Sequence, residues 1–109
     1  MSPDILRIEN LWQFTNLRKL QLDNNIIEEI PEKALESLTQ LEWLDLSFNN
    51  IENISGLDKL VCLKDLSLAH NRIKTVSNLD TLTKLQVLSL ANNLIEETDE
   101  WINVSICLV

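Results

Sequence analysis

The sequence predicts an α/β solenoid built on one parallel β-sheet, and three observations carry that expectation. The first is repetition. The pattern L-x-x-L-x-L-x-x-N-x-I starts at Leu17, Leu41, Leu63 and Leu85, with steps of 24, 22 and 22 residues. Self-similarity at a period of about 20–29 residues marks a stack of equivalent units that bury their apolar sides against one another. The second is a change of apolar period within each unit, from two along the leucine pairs to three beyond them. The third is composition: 45% hydrophobic residues in a chain of 109 are core material for one small domain.

Each element follows from these periods, which are those of a leucine-rich repeat. Leu20 and Leu22, Leu44 and Leu46, Leu66 and Leu68, and Leu88 and Leu90 alternate, so each pair is the inward side of a short strand. After Ile27, Ile51 and Ile73 the apolar residues fall three apart, as in Ile51, Ile54, Leu57, Leu60 and Leu63. That spacing suits turns or short 3₁₀ pieces along a convex side. Because every repeat runs the same way round, the strands are expected to be parallel, to line a concave side and to stack their leucines into one core.

The first repeat is two residues longer than the next, through Ile30-Pro31-Glu32-Lys33-Ala34-Leu35. Pro31 suits the first position of a helix and the glutamates suit its first turns, so the convex side is expected to be most helical here. The boundaries read as one domain, 1–109, with a partial repeat at 5–16 and repeats at 17–40, 41–62, 63–84 and 85–106. One further step of 22 from Leu85 lands on Cys107, so a fifth strand is expected to begin just as the chain stops. Neither end offers a polar cap, which reads as a fragment or truncated form whose apolar C-terminal edge invites association.

Asn25, Asn49, Asn71 and Asn93 recur where each strand turns away. Backbone groups leave the sheet ladder there, and an amide side chain can both donate to and accept from them, so the four are expected to form a structural ladder.

The residues between the inward leucines face the open side of the sheet. One row holds Lys19, Trp43, Asp65 and Val87, the next Gln21, Asp45, Ser67 and Ser89, and a third Asp23, Ser47, Ala69 and Ala91. Just beyond lie Asn24, Phe48, His70 and Asn92. These rows form the candidate protein-binding face. Trp43 combines apolar area with a polar N–H, as interface anchors do, and it also has Lys19 and Asp65 as row neighbours to pack against. Trp43 and Phe48 are expected at the solvent-accessible rim, and Trp12 beneath the arc it begins.

Charge narrows the partners. Nine Lys plus Arg against 17 Asp plus Glu give a formal charge of −8, which repels phosphates and anionic lipids, so neither nucleic acid nor a membrane surface is an expected partner. No stretch reaches the ~18 apolar residues of a membrane span, and the first residues lack the features of a secretory signal. Cys62 and Cys107 lie too far apart along the stack for a disulfide and read as free thiols in a reducing compartment. The glycosylation sequons at Asn53 and Asn103 are then coincidental.

A search for chemistry finds none. His70 is the single histidine, without a second His or a Cys at metal-ligand spacing, and one glycine, Gly56, cannot build a phosphate-cradling loop. Ser67, His70 and Asp45 can be drawn as a triad, but a polar open sheet offers such sets by chance and does not exclude water. The expectation is a non-enzyme without cofactor, metal or small-molecule substrate.

The repeats L-x-x-L-x-L-x-x-N-x-I-x-x-I-x-x-L-x-x-L resemble the 22-residue class that includes protein phosphatase 1 regulatory subunits. The stretches Ile5–Ile27 and Trp43–Ile73 are similar to the repeat domains of the dynein regulatory complex subunit 3 family. The distinctive matches are Trp12-Gln13-Phe14 and Asp45-Leu46-Ser47-Phe48-Asn49-Asn50. The resemblance covers roughly Ile5 to Ile95; the family's coiled-coil helices are missing, and the insertion at Pro31–Ala34 and the tail after Glu96 depart from its pattern. It implies a cytoplasmic scaffold of the ciliary or flagellar axoneme, partnered by other subunits of the nexin–dynein regulatory complex or by axonemal dynein. The alternative it leaves open is a regulatory subunit of a protein phosphatase 1 catalytic subunit, or another cytoplasmic leucine-rich repeat adaptor.

Overall fold

The computed structural model describes residues 11–95 and the backbone of residues 107–108. One parallel sheet runs in sequence order through β1 (Lys19–Gln21), β2 (Trp43–Asp45), β3 (Asp65–Ser67), β4 (Val87–Ser89) and β5 (Cys107–Leu108). Leu20, Leu44, Leu66 and Leu88 stand opposite one another. The ladder continues beyond the strands: Leu46 N donates to Ser67 O at 2.8 Å and Phe48 N to Ala69 O at 3.0 Å. Equivalent bonds run from Leu22 to Asp45 and from His70 to Ala91.

The period of three on the convex side has a hydrogen-bond basis. Leu60 N donates to Leu57 O and Leu63 N to Leu60 O, both at 3.0 Å, and the same steps recur from Leu35 to Leu41 and from Leu79 to Leu85. Each inward leucine thus closes a turn begun by the previous one. Among the described residues no helix forms. The helical expectation at Pro31 is corrected: the bond from Ala34 N to Pro31 O, 3.0 Å, makes a single turn. A helix is about 10 Å wide, whereas repeats stack at the ~4.8 Å strand spacing, so a helix here would splay the arc from its neighbour.

The core is the stack of these columns. Leu44, Leu66 and Leu88 are fully buried, as are Ile27, Ile51 and Ile73. Gly56 sits where the longer first repeat presses on the second. Its φ is +70°, and a Cβ there would lie 2.8 Å from Pro31 O and 2.9 Å from Ile30 O. The left-handed conformation favours glycine, and the close approach to the first repeat's backbone leaves no room for a Cβ.

The fifth strand also differs from expectation. Cys107 pairs with Val87 and Leu108 with Leu88, so the last step is 20 residues and Cys107 does not occupy the position of Leu85. Because side-chain sides alternate with period two, a two-residue shortening keeps the phase and gives Leu108 the register position of the inward leucines. The expectations for Trp101, Val104 and the apolar tail lie outside the described residues.

Candidate protein interface

The Asn ladder is built as the spacing implies. Asn49 Oδ1 accepts from Ile27 N at 3.1 Å, while its Nδ2 donates to Leu46 O at 2.9 Å and to Leu22 O at 3.1 Å. Asn71 repeats this with Ile51 N, Leu68 O and Leu46 O, and Asn93 with Ile73 N, Leu90 O and Leu68 O. Asn25 donates to Leu22 O at 2.9 Å and Asp23 O at 3.2 Å. Asn49, Asn71 and Asn93 each tie their own turn to the preceding repeat.

On the open face the rows lie in the order read from the sequence: Lys19, Trp43, Asp65 and Val87 in one, and Gln21, Asp45, Ser67 and Ser89 in the next. Trp43 is half-buried, with Lys19 Nζ 4.5 Å from its ring centroid. This cation–π contact adds about 0.5–1 kcal/mol at an exposed site. Asp45 Oδ1 accepts from both the backbone N and the Oγ of Ser47, and Ser47 is itself buried. Ser47 thus shapes the turn and offers little to a partner. Asp23 accepts from Asn24 Nδ2 at 2.7 Å. Asp65 is half-buried and carries no side-chain hydrogen bond or ion pair among the described residues.

The rim beyond the strands has a property that its residue types conceal. Asn24, Phe48, His70 and Asn92 all adopt left-handed backbone, with φ of 58°, 57°, 56° and 58°. Asparagine tolerates this region, but a Cβ-bearing bulky residue is strained there by about 1–2 kcal/mol. The Phe48 ring is 49% exposed and stacks on His70 at 4.1 Å between centroids, with the planes 9° apart. Asn92 Nδ2 lies 3.1 Å from His70 Nε2, so an amide donating there leaves the imidazole proton on Nδ1. Asn24 and Asn92 are the other members of this left-handed row and complete the rim read from the sequence. Their sequence signal was asparagine at two of four equivalent positions.

Trp12 is corrected. It is 68% exposed, not covered. Counting from Leu11, which is equivalent to Leu35, Leu57 and Leu79, places Trp12 in the same column as Glu36, Asp58 and Asp80, all solvent-facing on the convex side.

The triad drawn from Ser67, His70 and Asp45 is not assembled: His70 contacts Phe48 and Asn92, and Asp45 is bonded by Ser47. Cys62 is a half-buried free thiol; the Cys107 side chain lies outside the description. A convex recess of about 470 Å³ opens over Gly56, lined in part by Glu32, Ser55, Asp58, Asn78 and Thr81. Its hydroxyls and amide are committed to backbone carbonyls: Ser55 to Ile30 O, Asn78 to Ile54 O and Thr81 to Asp58 O. The recess is a by-product of stitching repeats together.

Comparison with known proteins places this geometry. The leucine-rich repeat family model matches residues 15–73, over half of the chain, and a two-copy model matches residues 63–103. Keratocans of Mus musculus, Bos taurus and Homo sapiens are 52% identical over 40 residues, which is 37% of this chain and 11% of each keratocan. The leucine-rich repeat protein LIC12759 of Leptospira interrogans superposes with a TM-score of 0.79 at 28% identity, over 94% of this chain and 29% of its own. An internalin, inlF, of Listeria monocytogenes gives 0.73 at 25% identity over 93% and 30%. The chain thus spans under a third of each of these proteins.

Proposed function

We propose, starting from the fact that this chain belongs to the leucine-rich repeat family, that it is a non-catalytic protein-interaction scaffold whose partner docks on the concave face. One observation carries this reading. The inner side of the sheet is filled by leucines, yet the outer side holds the partly exposed aromatic rings of Trp43 and Phe48, with Phe48 kept in a strained conformation. Strain of this kind concentrates at functional positions, and aromatic anchors dominate interface energetics.

The partner assembly we assign is the nexin–dynein regulatory complex, with the chain as a cytoplasmic scaffold at the axoneme of cilia and flagella. What supports this is the resemblance to the dynein regulatory complex subunit 3 family, together with where its distinctive residues fall. Trp12, Gln13, Phe48 and Asn50 are exposed and lie outside the inward columns. The leucine core does not demand these types, so sharing them fits a shared surface partner better than a shared fold alone.

Proximity labelling from the tagged chain in cells with motile cilia tests the assignment. The expected result is labelled regulatory-complex subunits or axonemal dynein. Labelling dominated by a protein phosphatase 1 catalytic subunit, with no axonemal protein, would replace it with the phosphatase reading.

A further inference from the structure

We propose that the row Lys19, Trp43 and Asp65 gives the concave face a direction: the partner segment crosses the strands with an acidic residue over β1, an apolar residue against the Trp43 indole and a basic residue over β3. This rests on the concave-docking reading above and adds the chemistry and orientation of what docks. The three residues are consecutive in the register, Lys19 opposite Trp43 and Trp43 opposite Asp65. Lys19 Nζ lies 4.5 Å from the indole centroid, so the cation reaches the ring from β1, while the carboxylate stands on the strand at the other side.

The indole keeps the two charges apart. One residue earlier in the chain, Glu42 and Lys64 precede adjacent strands and close an ion pair at 3.8 Å. Lys19 and Asp65 instead belong to strands two spacings apart, about 9.6 Å, with Trp43 between them. Among the described residues neither has an ion-pair partner, so both charges are left for a ligand. The other carboxylates of the open rows do not cancel the direction. Asp23 lies four residues along the chain from Lys19 and accepts from Asn24 Nδ2, while Asp45 shares β2 with Trp43 and accepts from Ser47. The fourth repeat adds no charge to the rows, with Val87, Ser89 and Ala91. The two ends of the Trp43 row therefore differ in sign, and a segment laid across it the other way sets like charges against each other.

Because the chain's charge of −8 attracts any cationic peptide, orientation rather than affinity is the readout. The test is paramagnetic broadening of amide NMR signals in the isotopically labelled full chain by a Gly/Ser-flanked peptide, Glu-Gly-Leu-Gly-Arg, carrying a nitroxide at one end. Alternate residues of an extended segment lie about 7 Å apart on one side, so its two charges bracket the row. With the nitroxide at the glutamate end, the amides of Lys19 and Gln21 are expected to broaden about threefold or more over those of Val87 and Ser89. Moving the nitroxide to the arginine end should reverse the pattern, and in a chain carrying Lys19→Asp with Asp65→Lys both patterns should invert. If that double variant fails to fold, the exchange of tag ends on the native chain still decides. Equal broadening from both tag positions, the opposite orientation, or no broadening of concave amides at saturating peptide overturns the proposal. Unoriented broadening confined to the concave face removes the direction while concave docking stands; concave docking itself falls if the Trp43→Ala chain retains its protein partner.

Discussion

Replacing Asn49 by alanine should cost about 2–4 kcal/mol, and the ladder geometry shows where that cost arises. Asn49 is 6% exposed; its Oδ1 satisfies Ile27 N, and its Nδ2 serves Leu22 O, Leu46 O and Ser47 O. The carbonyls are insured. Leu22 O keeps Asn25 Nδ2 at 2.9 Å, and Leu46 O keeps Asn71 Nδ2 at 3.0 Å. The Ile27 amide has no such reserve and lies on a fully buried residue. An orphaned buried donor costs about 1–3 kcal/mol, and the void left by the amide adds roughly 1 kcal/mol. Asn93 makes equivalent bonds but is only part-buried, so water can replace it and Asn93→Ala should cost about half as much. Urea unfolding of both variants, with the m-value checked for constancy, reads the difference. A cost below about 0.5 kcal/mol at Asn49, or a larger one at Asn93, would refute the argument from unsatisfied backbone groups.

Three further outcomes follow from the same structure. Leu44→Ala, at a fully buried position in the central column, should lose about 2–5 kcal/mol in the same assay. Gly56→Ala should lose about 1–3 kcal/mol, because its φ of +70° strains an alanine and the 2.8 Å approach to Pro31 O leaves no room for a Cβ; a neutral result would mean that the long first repeat is free to move aside. Trp43→Ala should cost under about 1 kcal/mol of stability yet weaken partner binding by about 2 kcal/mol or more, measured by calorimetry on the purified pair.

Much of this fold is arithmetic in the sequence. Once Leu44 and Leu66 are equivalent, Trp43 must stand beside Asp65 and Asp45 beside Ser67, and the sheet register agrees. The asparagine ladder is legible for the same reason, since a recurring amide at a recurring turn has one job. What was not legible depends on backbone conformation or on space. Asn24 and Asn92 hint that their column is left-handed, but Phe48 masks the signal because phenylalanine does not favour that region. Pro31 and its glutamates look like a helix start, yet local preference yields to the narrow spacing between repeats. Ser47 reads as a surface residue until the Asp45 carboxylate folds over it. The shortened last step to Cys107 has no counterpart in the leucine pattern that precedes it.

The central claim is that the partner docks on the open face of the sheet, and site-specific photocrosslinking compares the two faces directly. A benzophenone amino acid is placed at Ser67 in one chain and at Asp58 in another, the first in the middle of the concave rows and the second on the convex ridge. Both chains are irradiated with the same protein partner under the same conditions. The account requires strong crosslinking from position 67 and little from position 58; efficient capture from 58 with none from 67 would place the interface on the opposite side of the solenoid.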